Sequence, residues 1–137
     1  MSVYVYRHLV TLDETNLVGN VYFAHYLHWQ GHCRERFLVD HAPGVMAALQ
    51  SGELALVTVS CAMDYYAECF GLDLVEVQMT LRDTGGNRIA MDFRFRRGDE
   101  TVAVGRQTVG CLRRAEPHPV PVPVPEELVR AAAAFPS

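Results

Sequence analysis

The chain has 137 residues, half of them hydrophobic, and a formal net charge of −4 at pH 7, which suits one domain with a sizeable core and is too short for two ordinary domains. No dense run of lysine and arginine is present, which argues against nucleic acid or an anionic membrane as the main partner. No uninterrupted apolar span is long enough for a membrane helix, and Cys33, Cys61, Cys69 and Cys111 form no CxxC, so a soluble, cytoplasmic protein with reduced thiols is expected.

The first segment, "SVYVYRHLVTL", sets Val3, Val5 and Leu9 among aromatic residues, a composition that favours a strand. "DETNLVGN" then breaks it. From Tyr22 to Asp40, the residues Tyr22, Tyr26, Trp29, Cys33 and Phe37 recur at three- and four-residue intervals, the spacing of one buried helical stripe. Gly31 interrupts this stripe, either as a mild weakness or as a point of close backbone approach. Pro43 disfavours helical geometry at Ala42, so the helix should end near Asp40, and "PGVMAALQSG" reads as a second helix closed by Gly52.

Four strand candidates follow: "ALVTVSCAMDYYAE", "LDLVEVQMTLRD", "NRIAMDFRFRRG" and "TVAVGRQTVGCLRR". In the second, Val75, Val77, Met79 and Leu81 alternate with polar residues, as do Ile89, Met91, Phe93 and Phe95 in the third, which gives each strand one dry face. "TGGN" and "RGDE" have the chemistry of tight turns, so an antiparallel meander is expected with the long helix packed on its dry face. Alternating proline from Pro117 to Pro125 predicts an extended strap, and "EELVRAAAAF" a short terminal helix.

His25, His28 and His32 share a helical spacing with paired metal ligands, but "HWQGH" lacks the glutamate of HExxH, and packed or solvated histidines are the better reading. No GxSxG elbow is present, which disfavours a covalent acyl-enzyme. Gly19 and Asn20 precede the expected helix start, where backbone N–H groups can hold a developing oxyanion, and simple capping by Asn20 is an equal alternative. Arg34 and Glu35, deeper in the helix, read first as a solvent-facing pair.

"DETNLVGNVYFAHYLHWQGHCRERFL" resembles the signature region of the hotdog-fold thioesterases of the 4-hydroxybenzoyl-CoA thioesterase class: an acidic loop, a glycine, a "VYxxxY" helix start and an "RxxFL"-like helix end. Asn16 stands where those enzymes usually carry a catalytic aspartate. With Arg34 and the later "VSCAMDYYAECFGLDLVEVQM", the chain is similar, from about Ser2 to Arg114, to the branch of enediyne-biosynthesis thioesterases that release a polyene from an iterative polyketide synthase. The resemblance implies an α+β hotdog fold, a long central helix wrapped by an antiparallel sheet of about five strands, in residues 1–116. Residues 117–137 would be a proline-rich strap and tail of the same unit.

It also implies protomers that join their sheets, usually as a dimer of dimers. In that branch, a long β-ketoacyl chain on phosphopantetheine, carried by an acyl carrier domain, is hydrolysed without a cofactor. The β-keto acid is then able to lose carbon dioxide to give a methyl ketone. Asn16 and Arg34 match the branch's catalytic positions, while Tyr26 and Glu68 match pocket residues and no metal is implied. A carboxamide cannot serve as a general base, but a β-ketoacyl thioester is electrophilic enough to need only a positioned water and a stabilised oxyanion. A general acyl-CoA thioesterase and a non-catalytic acyl-binding hotdog module are the competing readings.

Overall fold

The alternation between Leu74 and Leu81 and between Ile89 and Phe95 belongs to two paired strands. The computed structural model describes residues 2–137; Met1, counted in the expected domain, lies outside the described residues. Its strands are β1 (Tyr4–Leu9), β2 (Leu54–Tyr65), β3 (Leu74–Asp83), β4 (Arg88–Arg97), β5 (Glu100–Arg113) and β6 (Val120–Pro121). Its helices are α1 (Ala24–His41), α2 (Pro43–Ser51) and α3 (Glu126–Ala134).

One antiparallel sheet takes the order β1-β3-β4-β5-β2, and the two-residue β6 joins β5. Val75, Val77, Met79 and Leu81 of β3 and Ile89, Met91, Phe93 and Phe95 of β4 are buried on one face, as the alternation predicts. The register pairs Val77 with Phe95, Met79 with Phe93 and Leu81 with Met91, so these side chains form rows under α1. The meander is thus as expected, with five long strands and a sixth short one supplied by the strap.

Tyr26, Trp29, Cys33 and Phe37 are 0–2% exposed, and this stripe of α1 is the sheet's cover. Truncating an aromatic ring of this kind costs about 3–5 kcal/mol. Tyr22, the first residue of the expected stripe, is about half exposed and precedes the helix, which starts at Ala24. The reason is local: Val21 pairs with Thr15 in a strand-like bridge and its N–H donates to the Cys69 carbonyl at 2.8 Å, which keeps "NVY" extended. A Cβ added at Gly31 would meet nothing within 4 Å, so within the protomer this glycine is the mild weakness rather than a point of close approach.

Ala42 has φ −142° and ψ 57°, and ends α1 as Pro43 requires. Gly52, at φ 81°, closes α2 in the left-handed conformation. The tail is bound to the body at several points. Glu127 of α3 accepts the N–H of Val45 at 2.7 Å and of Gly44 at 3.3 Å, capping α2 with a carboxylate where the helix dipole favours one. Phe135 packs its ring against Tyr4, Phe37 and His41.

β1 turns Tyr4, Tyr6 and His8 towards α1, and Leu9 lies half exposed. At the opposite edge of the sheet, β2 is twice as long as β1 and pairs only with β5. Val57, Val59, Tyr65 and Tyr66 stand exposed along or just beyond it.

Candidate active site

Two chain segments meet at the start of α1: the loop from Glu14 to Phe23 and the return from Tyr65 to Asp73. The first is fixed by its own backbone. The Asn16 N–H donates to the Asn20 carbonyl at 2.7 Å, the Gly19 N–H to the Asn16 carbonyl at 2.9 Å, and the Tyr22 N–H to the Glu14 carbonyl at 3.1 Å. Gly19 adopts φ 92°, a region that penalises any side chain, so the tight turn requires glycine there. The second segment is held by Arg97, which bonds the Glu68 carbonyl, Asp73 at 3.2 Å and Glu100 at 2.6 Å. Asp73 in turn accepts the Phe70 N–H at 2.9 Å.

Between them lies a cleft of about 310 Å³ that Asn16, Asn20, Tyr26, Tyr65 and Glu68 help to line. A polar relay crosses it. The Asn16 amide donates to Asn20 Oδ1 at 3.4 Å, and Asn20 Nδ2 donates to Glu68 Oε2 at 3.0 Å. Tyr26 and Tyr65 meet edge to face, with ring centroids 5.2 Å apart, and Tyr65 gives its hydroxyl to the Phe23 carbonyl at 3.1 Å. Burial, then the hydrogen bond with Cys69, pushes the Tyr26 hydroxyl well above the usual phenol range. Tyr26 is therefore a neutral wall at any physiological pH rather than an acid–base group.

Four of the residues singled out in the sequence, Asn16, Asn20, Tyr26 and Glu68, share this cleft. Gly19 shapes the turn, but its N–H is already committed to Asn16. Asn20 does not cap the helix: its side chain holds Glu68, and Phe23 occupies the cap position. Among the described residues, the N–H groups of Phe23 and Ala24 at the first turn of α1 have no hydrogen-bond acceptor, and Phe23 lines the cleft. Among the described residues the Asn20 N–H has no acceptor either, so the expected donor at Asn20 stands beside two further unpaired ones three to four residues on, where the extended "NVY" delays the helix. No pattern in the sequence marks that delay.

Arg34 is not in the cleft. Two helical turns beyond Tyr26, or about 12 Å along the axis, it borders an apolar cavity with Leu38, Leu56, Met91 and Val109 and an outer groove with Glu35, Met46 and Leu49. Among the described residues it has no ion-pair or hydrogen-bond partner, Glu35 included. His25 and His28 stack edge to face at 5.4 Å, while His32 lies beside Tyr6.

Glu14, two residues before Asn16, escaped the sequence reading. It is 9% exposed and accepts hydrogen bonds from Trp29 Nε1 at 2.7 Å, the Thr11 N–H at 2.9 Å and the Thr11 hydroxyl at 3.1 Å, with His8 Nε2 at 2.8 Å. Burial alone would raise its pKa. The hydrogen bonds from Trp29, His8 and Thr11 overcome that and hold it down to about 2. A signal was available: Thr11-Leu-Asp-Glu14 has the spacing of a capping box.

The thioesterase-like superfamily model matches residues 10–132. Among solved structures, the Dynemicin thioesterase, whose crystal structures are described as revealing induced-fit and allosteric effects upon polyene binding, is 60% identical and superposes with a TM-score of 0.94 over 99% of each chain. A 1,4-dihydroxy-2-naphthoyl-CoA hydrolase of Synechocystis is 24% identical over 126 residues, covering 92% of this chain and 86% of its own. The crystal structure of a Synechocystis 1,4-dihydroxy-2-naphthoyl-CoA thioesterase, 21% identical over 96% of both chains with a TM-score of 0.87, shares the fold.

Proposed function

Because this chain belongs to the thioesterase-like superfamily and is a thioester hydrolase of hotdog fold, we propose that it releases a long polyene β-ketoacyl chain from the acyl carrier domain of an iterative polyketide synthase in enediyne biosynthesis. The observation that carries this reading is the 60% identity, over 99% of both chains, with a thioesterase described as binding a polyene. The cleft chemistry agrees with it. A β-ketone makes the thioester carbonyl unusually electrophilic, so hydrolysis needs a positioned water and a stabilised oxyanion more than a strong base.

Asn16 supplies the neutral donor in this scheme, and the free N–H groups of Phe23 and Ala24 face the oxygen that gains charge. Tyr26 and Glu68 wall the cleft around the phosphopantetheine-borne thioester. Water adds to the carbonyl carbon, the C–S bond breaks, and the thiol leaves with a proton from that water. The resulting β-keto acid is able to lose carbon dioxide and leave a methyl ketone. No metal or cofactor is needed for any of these steps.

The test compares a conjugated β-ketoacyl thioester on a carrier domain with short acyl-CoA and with an aromatic acyl-CoA, at matched concentrations. At least a tenfold higher kcat/KM for the carrier-borne polyene is expected, since remote apolar binding positions the carbonyl. Equal or better turnover of acyl-CoA would favour a general acyl-CoA thioesterase, the reading suggested by the naphthoyl-CoA hydrolase relative. No turnover of any of them would favour an acyl-binding module.

The active unit is proposed to be a homodimer joined along β2, assembled further as a dimer of dimers. A free edge of 12 residues with exposed valines and tyrosines is a template for pairing with a second copy. Pairing would also give the unpartnered Arg34 of one subunit a route to the Asn16 cleft of the other. Light scattering should give at least a dimer, and a stable, active monomer would overturn the assignment.

A further inference from the structure

Tyr26, Gln30 and Arg34 stand four residues apart on α1 and therefore share one face. The helix-facing side chains of β2 run alongside them, with Cys61 and Tyr65 still exposed in the protomer. Tyr26 packs on Tyr65, Gln30 Nε2 lies 3.7 Å from Cys61 Sγ, and Arg34 borders the same apolar cavity as Leu56. The Asn16 cleft thus opens at one end of this seam, and the outer groove bordered by Arg34, Leu38 and Leu56 lies at the other.

A buried amide sits between them. Gln30 is 1% exposed, donates to Gln107 Oε1 at 3.1 Å, and leaves its Oε1 without any hydrogen-bond partner. Gln107 spends its own amide on Thr58 Oγ1 at 2.9 Å. Turning either amide over moves the deficit from an acceptor to a donor without removing it. Gly105 makes the seat possible, since a Cβ there would strike Gln30 Oε1 and come within 3.1 Å of the Met63 methyl. The Gln30 amide gives Gln107 Oε1 its hydrogen bond, yet its own Oε1 receives none in return, and packing alone does not account for that deficit.

We infer that Gln30 is a specificity-determining residue: its amide plugs the seam at rest, and a long acyl chain displaces it to run from the Asn16 cleft to the groove of about 300 Å³ beside Leu38, Met46 and Leu56. The inference rests on the long-chain substrate proposed above. One neutral hydrogen bond and a long contact to sulfur are all that hold the amide, and Met63 beside it is an adaptable thioether. A short acyl group stops at Tyr26 and Tyr65 and never meets the plug. A long one binds only the fraction of molecules in which the plug has swung aside, which weakens its apparent affinity by that fraction.

Gln30→Ala removes the plug and its orphaned oxygen, and leaves Gln107 Oε1 without its donor. Hydrolysis of saturated and polyene acyl thioesters from four to sixteen carbons should show the long-to-short ratio of kcat/KM rising about tenfold over wild type, with the four-carbon rate unchanged. A ratio within twofold of wild type, or a lower one, in a protein of normal oligomer size would overturn the gate. The long-chain reading is judged separately, from wild type alone, by whether it prefers the longer thioesters. Titration with a fluorescent conjugated tetraene fatty acid supplies a readout independent of turnover. About tenfold tighter binding to Gln30→Ala is expected, and equal binding by both proteins would sink the gate whatever the substrate proves to be.

Discussion

Asn16→Ala is expected to lower kcat on a β-ketoacyl thioester by roughly 10²–10³, the scale for losing one oxyanion donor. KM should change little, because the lost interaction strengthens only as charge develops. The structure separates this effect from misfolding. Asn16 is exposed, and its side chain makes a single long contact, 3.4 Å to Asn20 Oδ1, while the turn itself is fixed by main-chain bonds among Asn16, Gly19 and Asn20. Circular dichroism and oligomer size should therefore be those of wild type. A folded Asn16→Ala protein with near wild-type kcat would remove the carboxamide from the mechanism and leave the Phe23 and Ala24 N–H groups as the main electrostatic element. Arg34→Ala should also slow turnover, but Arg34 borders the apolar cavity, so part of any loss there is packing.

Much of the fold could be read from side-chain period alone. β3 and β4 announce themselves because every second residue is apolar, and α1 because Tyr26, Trp29, Cys33 and Phe37 return to one face. The failures occur where tertiary partners override local pattern. Tyr22 continues the helical spacing, yet the Val21 N–H finds the Cys69 carbonyl 48 residues away, and the helix waits until Ala24. Gln30 drew no reading from the sequence, and it is buried because Gly105 leaves it a seat. Asn16 and Arg34 are both visible as odd residues in a family signature. Their separation within one protomer, with Arg34 beyond the cleft, depends on which helical turn meets which loop, and no local pattern encodes that.

Glu14 shows the same limit most sharply, since an acid in a polar loop reads as surface and is instead the buried anchor of β1, the loop bearing Asn16 and α1. Glu14→Ala is expected to lower unfolding stability by about 3–5 kcal/mol, the cost of breaking a buried charged network from one side, because it strands the Trp29 and His8 ring N–H groups and the Thr11 N–H together. Glu14→Gln keeps the shape and should cost less. The pH dependence distinguishes the carboxylate from its volume. The folded pKa is depressed from 4.5 to about 2, so the unfolded chain binds the proton more readily, and the stabilisation is fully present above about pH 4.5. It is lost as pH falls towards 2, a change of about 3 kcal/mol at 1.36 kcal/mol per pKa unit. Urea unfolding at fixed protomer concentration between pH 6 and pH 2.5 should show wild type losing more stability than Glu14→Gln, so that the two curves converge on the acid side. Parallel curves would mean that Glu14 carries no folding-linked proton. The loss on truncation would then be a packing defect, and the loop bearing Asn16 would owe its position to the backbone bonds of its own turn.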